Sequence, residues 1–435
     1  MRGSDETPPA VVVGLDCVTG LQATRLLADR GVPVIGIAAN PRHFCARSRV
    51  PIRKLAAPTQ GEGLVAALRR LGSALPGAGP AFLLPCTDAA VLTVSRERER
   101  LADQYRFVLP PHPVVERLMD KLGFAEHAMA SGLPIPPTAI LRSRADARYA
   151  AARLEFPVVL KPGLKTPEWL ARSPSKVIRV EGPGALLQTY DRVARWTPAL
   201  IAQSWVDGGE DELYSCNAYF DRRGEPQVTF VARKIRQWPP ETGTSSLGIE
   251  VRDETVLATS LELFTGIGYR GLAYLEMKHD PKRGRYAMIE ANVGRPTGRS
   301  AIAERGGVEL LLTAYRDALD LSLPAAREQR YRGVKWIYWR HDLQAAAVAL
   351  RHGRLTPREW WRSVQGPSIE AVASLRDPRP MLAELAHLAE AGSRALRRRL
   401  RGAVPSERPR TASRCSRTPG RTRRGPSGSP CRSGG

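Results

Sequence analysis

The sequence predicts a multidomain α/β protein: a doubly wound amino-terminal domain, then a larger mixed module in two subdomains. Three observations predict it. Short apolar runs alternate with amphipathic stretches over the first 110 residues. A long carboxylate-bearing β-hairpin is written at residues 271–292. The chain has 435 residues, 43% of them apolar and 25% charged, enough for two or three soluble domains and unlike a disordered, collagenous or disulfide-stapled chain.

The first domain, residues 1–110, opens with Val11-Val12-Val13-Gly14 as a strand and Leu21, Leu26 and Leu27 at helical spacing behind it. Residues 31–37 and 82–85 read as further strands, with an amphipathic stretch, Leu64 to Leu71, between them. The turn GLDCVTG lacks the GxGxxG pattern of nicotinamide binders. Three prolines within Leu109–Pro113 mark a boundary.

The module at residues 111–325 begins with a helix from about Val114 to Ser131, stopped by Gly132 and Pro134. A strand at 156–162 ends in Lys161, and the aperiodic stretch Gly163 to Lys176 reads as a mobile loop. Strands are expected at 177–180, 200–203, 213–221 and 226–234, and a helix at about 254–266. The hairpin pairs Gly271–Lys278 with Arg285–Asn292 around the turn Asp280–Gly284. Residues 326–401 read as a helical extension with a strand at 335–339. Residues 402–435, rich in Arg, Ser, Pro and Gly, read as a disordered tail.

Charge and cysteines narrow the function classes. The net charge is +23, but from Arg394 onward thirteen Arg face only Glu407, so about half the excess lies in the last tenth of the chain. A basic tail without interleaved aromatics binds phosphates nonspecifically at best, and no specific nucleic-acid partner is expected. An anionic membrane surface is a peripheral alternative for the tail. No apolar run spans a bilayer, and Met1 to Pro9 has no signal-peptide core, so a cytoplasmic protein is expected. Six cysteines without a CxxC pair read as reduced thiols.

The hairpin carries the chemistry. Glu290 and Asn292 are two apart on one strand and share a face, and cross-strand pairing can bring Glu276 beside them. Two carboxylates and an amide form a hard-oxygen set suited to magnesium bridging phosphates. Lys161 at a strand end and Lys121 near a helix start supply point charges for phosphate. Strand alternation places Lys234 and Arg236 on one face, either of them able to reach phosphate or a substrate carboxylate. Trp336, Tyr338 and Trp339, with Trp360 and Trp361, read as packing before ligand contact.

With these residues in view the chain resembles the ATP-grasp superfamily of carboxylate–amine ligases. The matching stretches are MDKLGFAEHAMASGLPIPPT (119–138), FPVVLKP (156–162), LIAQSWVDGGEDELYS (200–215), ARKIRQWPPETGTSS (232–246) and GYRGLAYLEMKHDPKRGRYAMIEANVGRPTG (268–298), covering roughly residues 112–320. Within the superfamily it is most similar to carboligases related to D-aspartate ligase. The resemblance implies a pre-ATP-grasp domain followed by an α+β ATP-grasp module whose lid subdomain spans about residues 135–205. It implies that Lys121 and Lys161 contact ATP phosphates and that Gln203, Ser204 and Val206 form the adenine-reading hinge. It assigns the ribose to Glu210, with Asp211 a possible substitute. Magnesium, with manganese possible, falls to Glu276, Glu290 and Asn292. Arg295, in NVGR where NPR is commoner, faces the reacting carboxylate. The implied reaction joins a small carboxylate to a small amine through an acyl phosphate, under a lid at Gly163–Lys176, in a monomer or homodimer. Two rivals remain: a nucleotide-binding relative without turnover, and a phosphate-binding protein acting through its tail.

Overall fold

The computed structural model describes residues 7–75, 79–163, 166–172, 177–240 and 243–402. Residues up to Leu385 form one compact unit. The second, Ala386–Gly435, is described only over the end of the helix Arg379–Gly402.

The amino-terminal sheet contains β1 (Ala10–Val13), β2 (Val34–Ala38), β3 (Arg53–Ala56), β4 (Ala81–Pro85) and β5 (Tyr105–Arg106), all parallel in the order β3-β2-β1-β4-β5. Ala10 to Val13 are fully buried, as strands covered by helices on both faces must be. Both glycines of GLDCVTG are required. Gly14 adopts φ +102°, and a Cβ on Gly20 would stand 2.0 Å from the Gly14 carbonyl oxygen. The tight turn lets the Cys17 thiol cap the helix Val18–Ala28 by accepting from the Gly20 amide.

A four-stranded antiparallel sheet follows: β6 (Thr138–Leu141), β7 (Val158–Pro162), β8 (Ile178–Val180) and β9 (Leu200–Ser204), ordered β6-β9-β7-β8. Leu141, Val158, Leu160, Leu186 and Leu200 form its own apolar core beneath the helices Arg144–Arg153 and Pro183–Val193. The third sheet has seven strands: β10 (Leu213–Phe220), β11 (Pro226–Trp238), β12 (Thr244–Glu250), β13 (Gly271–Asp280), β14 (Arg285–Val293), β15 (Lys335–Ile337) and β16 (Ser368–Glu370), ordered β14-β13-β10-β11-β12-β15-β16. Leu83, Val91 and Leu109 share a core with Leu275, Met288 and Val293, which holds the end of the β13–β14 hairpin against the amino-terminal domain.

Three expectations are corrected. The helix at 114–131 is two helices, His112–Met119 and Lys121–Ala130, because Asp120 turns extended (ψ 126°) and its carboxylate caps the second by accepting from Gly123 at 2.8 Å. The stretch 163–176 contains a helix, Pro167–Arg172, anchored by buried Trp169 edge-on to Trp196, and the remainder of that stretch beyond Gly163 and Thr166 lies outside the described residues up to Val177. Trp339 opens the helix Trp339–Arg351 instead of ending a strand. The strand expected at 335–339 forms over Lys335–Ile337: β15 pairs with β12, Leu247 against Ile337, and β16 extends the same sheet, so this segment supplies partners to an otherwise open edge. The Arg-rich tail beyond Gly402 lies outside the described residues. Among the described residues no helix is long and apolar enough to cross a membrane, and Cys17, Cys45, Cys86 and Cys216 are free thiols.

Candidate active site

In the β13–β14 register Glu276 faces Glu290 and Tyr274 faces Asn292, so all four side chains share one face. The Glu276 carboxylate accepts from the Arg299 guanidinium at 2.7 Å and the Tyr274 hydroxyl at 2.9 Å, and Lys234 Nζ stands 3.6 Å away. Glu290 is exposed and accepts from the Asn292 amide at 3.2 Å. Arg295 donates to Asn292 Oδ1 and to Asp88 of the amino-terminal domain, which fixes the hairpin end against that domain.

Both predicted phosphate-type lysines converge here. Lys161, at the end of β7, donates to Gln203 Oε1 on neighbouring β9 at 2.6 Å, and Gln203 in turn donates to Thr138. Burial pulls the Lys161 ammonium down to about 8. The nearby charge of Lys121 adds to the fall and that of Glu290 opposes it. Lys121 is the first residue of its helix, placed there by the Asp120 cap. Lys234 is buried, donates to Gln237 Oε1 at 3.0 Å, and is shifted downward by desolvation against the attraction of Glu276.

Between β9 and β10 the backbone is held by Ser204 N to Pro137 O and Trp205 N to Pro157 O. Trp205 lies against two cations, Arg179 and Lys278, and Lys278 also donates to the Val206 carbonyl at 2.9 Å. The Ser204 hydroxyl is buried without a hydrogen-bond partner.

One cavity of about 600 Å³ gathers Lys121, Lys161, Gln203, Ser204, Val206, Lys234, Glu276, Glu290, Asn292 and Arg295. Two expected residues do not line it. Glu210 opens a short 3₁₀ turn and accepts the Gln237 amide at 3.1 Å, one residue behind the wall. Arg236 is the clear correction. The β11–β12 register shifts on both sides of it, and such a bulge breaks the alternation that would put it beside Lys234. Arg236 instead makes a buried bidentate ion pair with Asp342 at 2.8 and 2.9 Å and donates to Ser363. Gln237 takes the cavity position.

The cavity also holds residues that motif reading missed. Tyr274 and Lys278 were accessible in principle, lying two residues either side of Glu276 on one strand. Arg299 and His341 carry no periodic signal. Trp336 and Tyr338 are buried and line the cavity as well as packing.

Among the described residues no group of three or more His, Cys, Asp or Glu is gathered for a metal. The set present is two opposed carboxylates and an amide oxygen. That suits magnesium, which takes one or two carboxylates and completes its shell with phosphate oxygens and water.

A small antiparallel sheet and a seven-stranded sheet meeting at this cavity, behind a parallel domain, constitute the ATP-grasp fold, and the chain is an ATP-grasp-fold protein. Solved structures that share it include an N5-carboxyaminoimidazole synthetase from Staphylococcus aureus (TM-score 0.58, 13% identity, 76% of this chain and 82% of that one). A biotin carboxylase from Campylobacter jejuni, in a β,γ-ATP complex, matches with TM-score 0.59 at 13% identity over 75% of this chain and 74% of that one. By sequence the chain is related to a D-aspartate ligase from Enterococcus faecium, 24% identical over 51% of this chain and 54% of the relative. It is also related to a D-alanine–D-alanine ligase from Ectopseudomonas mendocina, 34% identical over 21% of this chain and 28% of the relative. The chain thus spans about half or less of these curated relatives. No family model matches it.

Proposed function

We propose that this chain is a cytoplasmic ligase that activates a small carboxylate with ATP and magnesium as an acyl phosphate and joins it to a small-molecule amine. The observation that carries this reading is the convergence of Lys121 and Lys161 with the opposed pair Glu276 and Glu290 on one cavity. Attack by a carboxylate on a polyphosphate brings two anions together, so the site must supply positive charge where oxygens gather it. Glu276, Glu290 and Asn292 would hold magnesium, which when bound neutralises phosphate charge and templates in-line transfer. Lys121 and Lys161 stabilise the oxygens of the transferred group. Lys234, poised between Glu276 and Gln237, serves as a third cation. The hinge Gln203, Ser204 and Val206 takes the base, with Val206 O engaged by Lys278. Arg295 orients the substrate carboxylate while Asp88 and Asn292 hold its guanidinium.

The names of the sequence relatives make D-amino acids the first substrates to try. The test is ADP release over a panel of amino-acid carboxylates and amines, with products weighed by mass spectrometry. ADP release coupled to a condensed product supports the ligase reading, and ATP binding without turnover on any pair supports the silent relative. Removing residues 402–435 should leave turnover unchanged, whereas loss of turnover would favour a role for the tail.

A further inference from the structure

The cavity has an end that the phosphate-handling residues do not explain. Its wall comes from β15 and the helix Trp339–Arg351, where Trp336, Tyr338 and His341 line it. The contacts run in sequence: a Cβ on Gly298 would lie 3.1 Å from Trp336, Trp336 meets Tyr338 edge-on, and Tyr338 lies tilted against His341 with ring centroids 4.2 Å apart. Trp336 Nε1 is tied to Gln22 of the amino-terminal helix, so this end abuts Val18 and Thr19.

Two polar atoms of residues lining the cavity are buried without a partner, His341 Nδ1 and NH1 of Arg299, whose Cδ lies beside Gly248, the strand partner of Trp336. Arg299 is 5% exposed, spends NH2 on Glu276, and lays its guanidinium over Tyr274. A buried donor and a buried imidazole nitrogen, both unsatisfied, are costly unless a ligand completes them. The neighbouring charges are already spoken for: Asp342 pairs with Arg236, Glu384 accepts from Tyr338 and Arg340, and Lys234 pairs with Glu276.

We propose that this end is the amine subsite and that His341 Nδ1 accepts the proton the substrate ammonium must lose before it attacks, while Arg299 NH1 holds the carbonyl oxygen of the activated acyl group. This rests on the ligase reading above. The substrate ammonium gives one proton to His341 Nδ1 and becomes a neutral amine. Its lone pair forms the N–C bond, the second proton leaves with the departing phosphate, and the C–O bond to phosphate breaks with its electron pair on the phosphate oxygen. Burial, aided by the charge of Arg340, lowers the imidazole's proton affinity and keeps it an acceptor at neutral pH.

The test uses two small nucleophiles on the full chain, with D-aspartate and ATP: ammonium, which must be deprotonated, and hydroxylamine, which is largely neutral at neutral pH. His341→Asn should cut amide formation from ammonium by about 100-fold and hydroxamate formation far less, so the hydroxamate-to-amide ratio rises. An unchanged ratio overturns the assignment of His341 alone. No hydroxamate from the wild-type chain with D-aspartate or any other carboxylate of the panel overturns the ligase reading and this inference with it. A second measurement needs no turnover. ¹⁵N NMR of the histidine rings should show His341 at pH 7 with Nδ1 unprotonated and Nε2 carrying the hydrogen. A proton on Nδ1 would overturn the proposal.

Discussion

Glu276 and Glu290 stand directly opposite each other across β13 and β14, yet their surroundings differ sharply. Arg299, Tyr274 and Lys234 all reach Glu276, whereas Glu290 is exposed beside the Asn292 amide. The same substitution should therefore have two outcomes. Glu290→Gln should lower ADP release by about 10²–10³ while leaving the denaturation midpoint and ATP affinity close to wild type. Glu276→Gln strips countercharge from two buried cations and should also destabilise the fold, by about 3 kcal/mol or more in urea unfolding. Equal stability of the two variants would contradict the asymmetry.

The pH dependence of Lys161 has a definite sign. Its ammonium is held at about 8, against an ordinary lysine value of 10.5, by burial first and Lys121 second. Below pH 8 folded and unfolded chains both carry the proton, and the folded state bears the full penalty of the buried charge. Between 8 and 10.5 the unfolded chain binds more protons, so stability from this group rises with pH. Lys161→Met should thus be more stable than wild type at pH 7, with the difference shrinking as pH climbs past 8. ATP affinity of the wild type should fall over the same window, because the neutral amine no longer attracts phosphate, and Lys161→Arg should flatten that fall. Isothermal titration between pH 7 and 10 reads both effects.

A companion experiment isolates the Lys121 contribution. Removing its charge in Lys121→Met eliminates one of the two influences that lower Lys161. The inflection in ATP affinity should then move to higher pH, even though overall affinity drops. An inflection that stays in place would mean that the two ammonium groups do not share a field.

What could be read from the sequence was what local rules govern. The hairpin at 271–292 declares itself because alternating apolar residues flank a turn of Asp, Pro and Gly, and β13 and β14 end within a residue or two of expectation. Period two also placed Glu290 and Asn292 on one face. The same rule misplaced Arg236, since a bulge is set by pairing with β12 and leaves no mark on β11 itself. β12, Thr244–Glu250, went unread because its small polar residues form a strand only between β11 and β15. The break at Asp120 was hidden for a different reason: an apolar pattern continuous across it outweighed a capping aspartate. Arg299 and His341 reach the cavity through tertiary contacts alone.

Lys234 and Arg236 give the last prediction, since one strand sends two cations to different tasks. Arg236 is 7% exposed and its partner Asp342 fully buried, with Trp360 Nε1 also donating to that carboxylate at 3.1 Å. Removing one member leaves the other charge buried without its match, so Arg236→Met should cost about 3–5 kcal/mol in urea unfolding. Replacing both, as Arg236→Met with Asp342→Leu, should recover most of that loss. Because Arg236 does not line the cavity, the double variant should keep its KM for ATP within a few-fold of wild type. Lys234→Met should do the reverse. It removes a cation 3.6 Å from Glu276 and should depress kcat strongly with a smaller change in stability. A double variant at 236 and 342 that folds well yet cannot turn over ATP would return Arg236 to the site.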